Sequence, residues 1–152
     1  MMSLMHKLTN RLSALNPFWI FVIRLSLGIV FIQTGWGKLN HLSDVTLFFQ
    51  SLGIPFPHYQ AAFASAVEFI GGIALIFGFF TRLFSLLLCG VMAVAILTAQ
   101  LPELHSFLEL FGILEWAYLI LFGFLVINGA GKYSLDHILC KRDRSDIDSN
   151  SI

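Results

Sequence analysis

An all-helical membrane bundle is the fold class this sequence predicts, and three observations predict it. Four long apolar stretches, approximately 18–36, 60–80, 83–100 and 108–131, fill most of the 152 residues. Each reaches or nears the roughly 20 residues a helix needs to cross a hydrocarbon core. Hydrophobic residues make up 57% of the chain, charged residues only 12%, and the formal net charge is zero. Backbone amides and carbonyls have no water partners in lipid, so such stretches must satisfy themselves as helices. The remaining sequence is too short for a separate catalytic domain, and one membrane domain follows. No basic stripe interleaved with aromatics is present, which argues against nucleic acid as a partner.

The expected organisation is a cytoplasmic segment over 1–17, a four-helix transmembrane domain over 18–138 and a polar cytoplasmic tail over 139–152. Lys7 and Arg11 precede an apolar run, as in a signal peptide. Arg24 interrupts that run and no small-x-small cleavage site follows, so we expect a retained first span that doubles as a signal anchor. Lys7, Arg11, Arg82, Lys132, Lys141, Arg142 and Arg144 fall on one side of this arrangement, and only Lys38 on the other. Seven cations against one predict both termini in the cytoplasm. Cys89 and Cys140 sit at different depths and are expected to stay unpaired; no CxxC is present.

The elements follow in order. Span 1 is expected to start after Asn16-Pro17. In the outer loop, Ser43 and Asp44 offer caps for a short interfacial helix whose apolar face is Leu42, Val45, Phe48, Phe49 and Leu52, with Gly53 as its stop. Pro55 and Pro57 predict an extended entry into span 2. The turn Phe80-Thr81-Arg82-Leu83 allows only an antiparallel hairpin of spans 2 and 3. Between spans 3 and 4, 101–107 has room for a short interfacial helix. Ser134 is placed to cap another over 135–140, and a polar tail follows.

Few polar groups remain inside the spans. At about 100° per residue, Arg24, Gly28, Gly35 and Lys38 share one face of span 1. Ala61, Ser65, Glu68 and Gly72 form a stripe on span 2, and Glu115 shares a face of span 4 with Tyr118 and Phe122. Ionisable groups inside spans are costly and mark sites. Glu68 and Glu115 are the candidates for proton exchange, and Arg24, Lys38 and Glu68 for binding a polar headgroup. The bland alternative is an Arg24–Glu68 or Arg24–Glu115 bridge that fixes helix register without chemistry. Two adjacent carboxylates would raise the proton affinity of at least one. Gln33 lies about 180° from Arg24, which places it against a second protomer, against the interfacial helix, or on a distorted span. Trp19, Trp36, Tyr59 and Trp116 read as interface anchors.

His41, His58 and His105 all fall on the outer side and are the candidates for a transition metal, although their spacing matches no ligand motif. No histidine lies deep in a span, so a bis-histidine haem is not expected. Neither is a nucleotide, because no Gly-rich phosphate loop is present. If the bundle does redox work, a hydrophobic two-electron carrier, a quinone, is what it could hold between helices.

Four motifs resemble the DoxX family in the family's order. They are Arg24-Leu25-Ser26-Leu27-Gly28 with Gly35-Trp36-Gly37-Lys38-Leu39, then Ser51-Leu52-Gly53-Ile54-Pro55-Phe56-Pro57. Glu68-Phe69-Ile70-Gly71-Gly72 with Gly78-Phe79-Phe80-Thr81-Arg82 follows, and Gly131-Lys132-Tyr133-Ser134-Leu135-Asp136 closes the series. The resemblance implies a four-helix protein of a bacterial-type inner membrane, with Arg24, Lys38, Glu68 and Arg82 as family-defining positions. It also implies redox associations, since relatives include a subunit of a thiosulfate:quinone oxidoreductase and membrane partners of oxidative-stress proteins. Three functions are therefore weighed. The first is a quinone-linked redox subunit taking electrons from a partner protein. The second is a non-catalytic membrane anchor or assembly factor. The third is a metal- or small-solute-handling protein, in which four spans would have to oligomerise.

Overall fold

The computed structural model describes the backbone of residues 2–136 and the side chains of 15–106 and 108–136. The expectations for His137, Ile138, Cys140 and the 139–152 tail lie outside the described residues, as do the side chains of His6, Lys7 and Arg11. Every regular element among the described residues is helical. They are α1 (Met2–Asn40), α2 (Leu42–Ser51), α3 (Pro57–Phe77), α4 (Thr81–Ala95) and α5 (Leu114–Asn128). A π-helical turn (Ile96–Gln100) and a 3-10 turn (Leu101–Glu103) extend α4, and a second 3-10 turn (Phe107–Gly112) precedes α5. Leu15–Asn40, Pro57–Phe77 and Thr81–Glu103 are each long and apolar enough to cross a bilayer, and Leu114–Asn128 is apolar but shorter.

Two boundaries differ from expectation. α1 already runs from Met2 and continues through Pro17, because a proline removes a single helical hydrogen bond and ends a helix only where the next turn is also weak. At the far end of the chain, regular helix begins at Leu114 rather than near residue 108. Ile113 is extended (ψ 143°), and the Ser106 hydroxyl accepts from the Leu108 amide to start a tighter turn before it. Glu109 joins this turn by accepting from the His105 amide at 3.0 Å.

Packing follows the small residues. α1 lies closest against α3, and α4 against both α3 and α5. In lipid the tails are as apolar as leucine, so helices associate through close van der Waals packing where small residues allow it. A Cβ on Gly28 would sit 2.8 Å from the Gly72 carbonyl, and one on Gly35 would overlap the Phe69 backbone. The glycine face read from span 1 is therefore the α1–α3 seam. Leu27, Phe31, Leu75, Leu88, Phe122 and Leu125 fill the centre. Phe31 meets Tyr118 and Phe122 edge-on, with ring centroids 5.2 and 4.9 Å apart.

α2 is the short helix expected in the first long loop, with one local correction. His41 rather than Ser43 or Asp44 is the N-cap, without a side-chain bond, while Gly53 follows the helix at φ 71° as expected. The entry to α3 is not extended. Phe56, between two prolines, adopts a left-handed conformation (φ 51°), against the usual preference before proline. The Gln60 amide bonds the Phe56 carbonyl at 3.1 Å and the Gln60 carboxamide the Pro55 carbonyl at 2.8 Å.

Candidate functional site

The buried charges separate to the two ends of the bundle. At one end Arg24, only 1% exposed, donates to three main-chain carbonyls. Nη1 bonds Ala130, while Nη2 bonds Tyr133 at 2.8 Å and, more weakly, Ile76 at 3.4 Å. Gly129 and Gly131 (both φ 73°) bend the segment that carries the Ala130 and Tyr133 carbonyls. Asp136 completes the knot. Its carboxylate accepts from the Phe80 and Thr81 amides at 2.8 and 3.0 Å, capping α4, and its own amide bonds the Gly78 carbonyl. Phe80, left-handed at φ 46°, is held in that strained turn by the same carboxylate. No Arg24–Glu68 or Arg24–Glu115 bridge forms among the described residues, which corrects the register-bridge reading. An open cleft of about 610 Å³ beside this knot is lined by Arg82, Lys132 and Asp136.

At the other end Glu68 is also 1% exposed, but its surroundings differ. Lys38 Nζ reaches Glu68 Oε1 at 2.6 Å across the α1–α3 seam. The contact depends on the glycine seam, because Gly35 lets α1 approach Phe69 one turn from Lys38. Glu68 Oε2 is buried with no hydrogen-bond partner among the described residues. Both residues line a cavity of about 830 Å³ whose walls are largely apolar. Asp44, Phe48 and Leu52 of α2 lie over it, and Phe31, Val91 and Leu114 contribute from α1, α4 and α5. Glu68 and Lys38 thus border a site of the usual form for a small ligand, an apolar concavity with a few polar groups.

Glu115 lines the same cavity through another partner, Gln100, whose Nε2 donates to its Oε1 at 3.2 Å. The two candidate proton-exchanging glutamates thus share one cavity without sharing a partner. Of the residues expected to bind a headgroup, Lys38 and Glu68 are brought together and Arg24 stands apart. Gln100 was not singled out from sequence; a signal was available in its position near the end of an apolar span. Gln33 is exposed on the side of a continuous α1 away from Arg24 and does not line the cavity.

His41, His58 and His105 do not converge among the described residues. The His41 ring bonds the Gly37 carbonyl, and the His58 ring stacks edge-on with Tyr59. Among the described residues no group of three histidine, cysteine or acidic side chains is arranged to hold a metal. Cys89 is unpaired, with its thiol 3.6 Å from the Leu119 carbonyl.

Fold and site together define a small multi-pass helical membrane protein with a charged pair on the wall of an internal apolar cavity. The chain belongs to the DoxX family, whose model matches residues 19–101. It is 33% identical over 138 residues to inner membrane protein YqjF of Escherichia coli (strain K12), covering 84% of this chain and 97% of that one. It is 30% identical over 122 residues to "Putative oxidoreductase CatD" of Bacillus subtilis (strain 168), covering 79% and 86%. Similarity also extends to the uncharacterized membrane protein Rv3486 of Mycobacterium tuberculosis, at 31% identity over 86% of this chain and 87% of that one. No solved structure matches. These relatives and the apolar helices make this a multi-pass protein of a bacterial inner membrane.

Proposed function

We propose that this protein is the quinone-binding membrane subunit of a redox system, working with a partner protein that carries the electrons. The observation that carries the reading is Glu68, a buried carboxylate that borders a large apolar cavity and has one oxygen, Oε2, without a hydrogen-bond partner among the described residues. A quinol hydroxyl would donate to that oxygen, and the aliphatic remainder of the ligand would occupy the apolar walls. On oxidation the quinol gives two electrons to the partner and releases two protons, one of them to Glu68. Lys38, paired on Oε1, balances the carboxylate and stabilises negative charge on the headgroup oxygen. The reverse sequence protonates a quinone as electrons arrive. The name of the Bacillus subtilis relative, an oxidoreductase, agrees with this class of chemistry.

The same proposal includes four crossings with both termini cytoplasmic. The 15 residues of α5 give roughly 22 Å, and the six of the preceding 3-10 turn add roughly 12 Å. α5 alone is shorter than a core of about 30 Å, so the fourth crossing draws on the residues that flank it. Single cysteines at Arg82 and His41 should then label from opposite faces, and labelling from one face rejects this topology.

The functional test is the quinone content of protein extracted gently from its own membrane. Wild type should carry quinone near one per chain, and Glu68→Gln should lose at least about tenfold, since a buried charged hydrogen bond is removed. Equal content in the two proteins rejects the role of Glu68. A co-purifying partner without quinone supports the anchor function instead.

A further inference from the structure

The cavity has a second polar station. Gln100 lies in the π-helical turn that ends α4, and the Glu115 carboxylate of α5 takes one of its amide hydrogens. Its second N–H and its carbonyl are uncommitted among the described residues. A π turn is rare and occurs mostly as a single-turn departure inside α-helices at functional sites. One residue corresponds to about 100° of rotation on a regular helix, so the extra residue of this turn decides which way Gln100 faces. With the turn present, Gln100 lines the same cavity as Glu68. The lysine and glutamate come from α1 and α3, the glutamine and its carboxylate partner from the π turn and α5, and the wall between them is largely apolar.

We infer that Gln100, aimed by Glu115, is a second headgroup contact, and that the cavity selects a flat ligand with oxygen at two ends over one with oxygen at a single end. Gln100 is a binding residue in this scheme and Glu115 its positioning residue. A carboxamide both donates and accepts, so it holds a carbonyl or a hydroxyl equally. The second oxygen therefore stays bonded in either oxidation state, while Glu68 handles the proton at the first. The inference rests on the quinone reading and narrows it: a fatty acid or a single-headed lipid would leave Gln100 unused.

The test compares two ligands on the full-length protein in lipid nanodiscs. One is an alkyl para-hydroquinone kept reduced, and the other is the alkyl phenol that lacks the second oxygen. Wild type should bind the hydroquinone about tenfold more tightly, the effect of one well-made buried hydrogen bond. Gln100→Leu should bring the ratio to about one while leaving phenol affinity unchanged. Glu115→Leu should lower the ratio in the same direction, because the carboxamide loses its orientation, whereas Glu68→Gln should weaken both ligands. If Gln100→Leu does not fold, Gln100→Asn keeps the polarity, shortens the reach and should lower the same ratio. A Gln100 variant that folds and keeps the wild-type preference overturns the second contact and leaves the quinone reading standing. Failure of wild type to bind either ligand overturns both.

Discussion

Arg24 and Glu68 are equally buried, yet the two ends of the bundle treat them in opposite ways. The guanidinium gives its terminal donors to carbonyls of Ile76, Ala130 and Tyr133, groups that cannot change protonation or leave. The carboxylate has one side-chain partner among the described residues, Lys38, itself 41% exposed, and its second oxygen is buried without a partner there, in a residue that borders a cavity. Burial alone therefore does not identify a site. A buried charge bound by main chain from several segments is a fastener. Both residues have one unpartnered buried atom among the described residues, Arg24 Nε and Glu68 Oε2, and what separates them is that Glu68 borders the large apolar cavity and Arg24 does not.

The largest expected effect comes from breaking the fastener. Arg24→Leu leaves one buried and two part-buried carbonyls without this donor and should cost about 3 kcal/mol. Thermal unfolding in detergent and faster proteolysis within 129–136 should both report it. Arg24→Lys should recover little, because one ammonium cannot span the carbonyls that a planar guanidinium reaches. Next is the seam that brings the ends into register. Gly35→Val forces a side chain into the Phe69 backbone and should cost about 2–3 kcal/mol by overpacking. It should also weaken hydroquinone binding, since the same approach sets Lys38 against Glu68. Ligand affinity unchanged beside a lowered melting temperature would separate seam from site.

Asp136→Ala removes the carboxylate that caps α4 and should cost about 1 kcal/mol, measurable as a lower unfolding midpoint. The smallest stability effect should come from the other end. Glu68→Gln removes the charge along with its desolvation cost, and the pair it breaks is partly exposed on the lysine side, so stability should change by less than about 1 kcal/mol. A loss comparable to that of Arg24→Leu would make Glu68 a second fastener and remove the contrast.

Much of this division was legible in sequence. The period that put Arg24, Gly28, Gly35 and Lys38 on one face also put Ala61, Ser65, Glu68 and Gly72 on another, and these faces meet along the α1–α3 seam. Hydropathy located the spans because nothing else makes a run of 18 apolar residues useful. The partners of Arg24 were not legible, since carbonyls are present at every residue; two of the three, Ala130 and Tyr133, lie at the backbone bends of Gly129 and Gly131 and the third at the end of α3. The π turn was equally silent: its sequence, Ile-Leu-Thr-Ala-Gln, reads as ordinary helix. The late start of α5 depends on one extended residue, Ile113, which no side-chain pattern marks.

The fastener has a consequence for the order of biosynthesis. Arg24 and its acceptor at Ala130 lie 106 residues apart. At a synthesis rate of about 5–20 residues per second, roughly 5–20 seconds pass between them. During that interval the first helix is in the membrane with a guanidinium two of whose three final acceptors, Ala130 and Tyr133, do not yet exist, so water, lipid phosphate or the insertion machinery must hold it. Bundle closure is therefore a late event of translation, and a ribosome stalled before residue 130 should leave a nascent chain whose first helix still exposes its arginine.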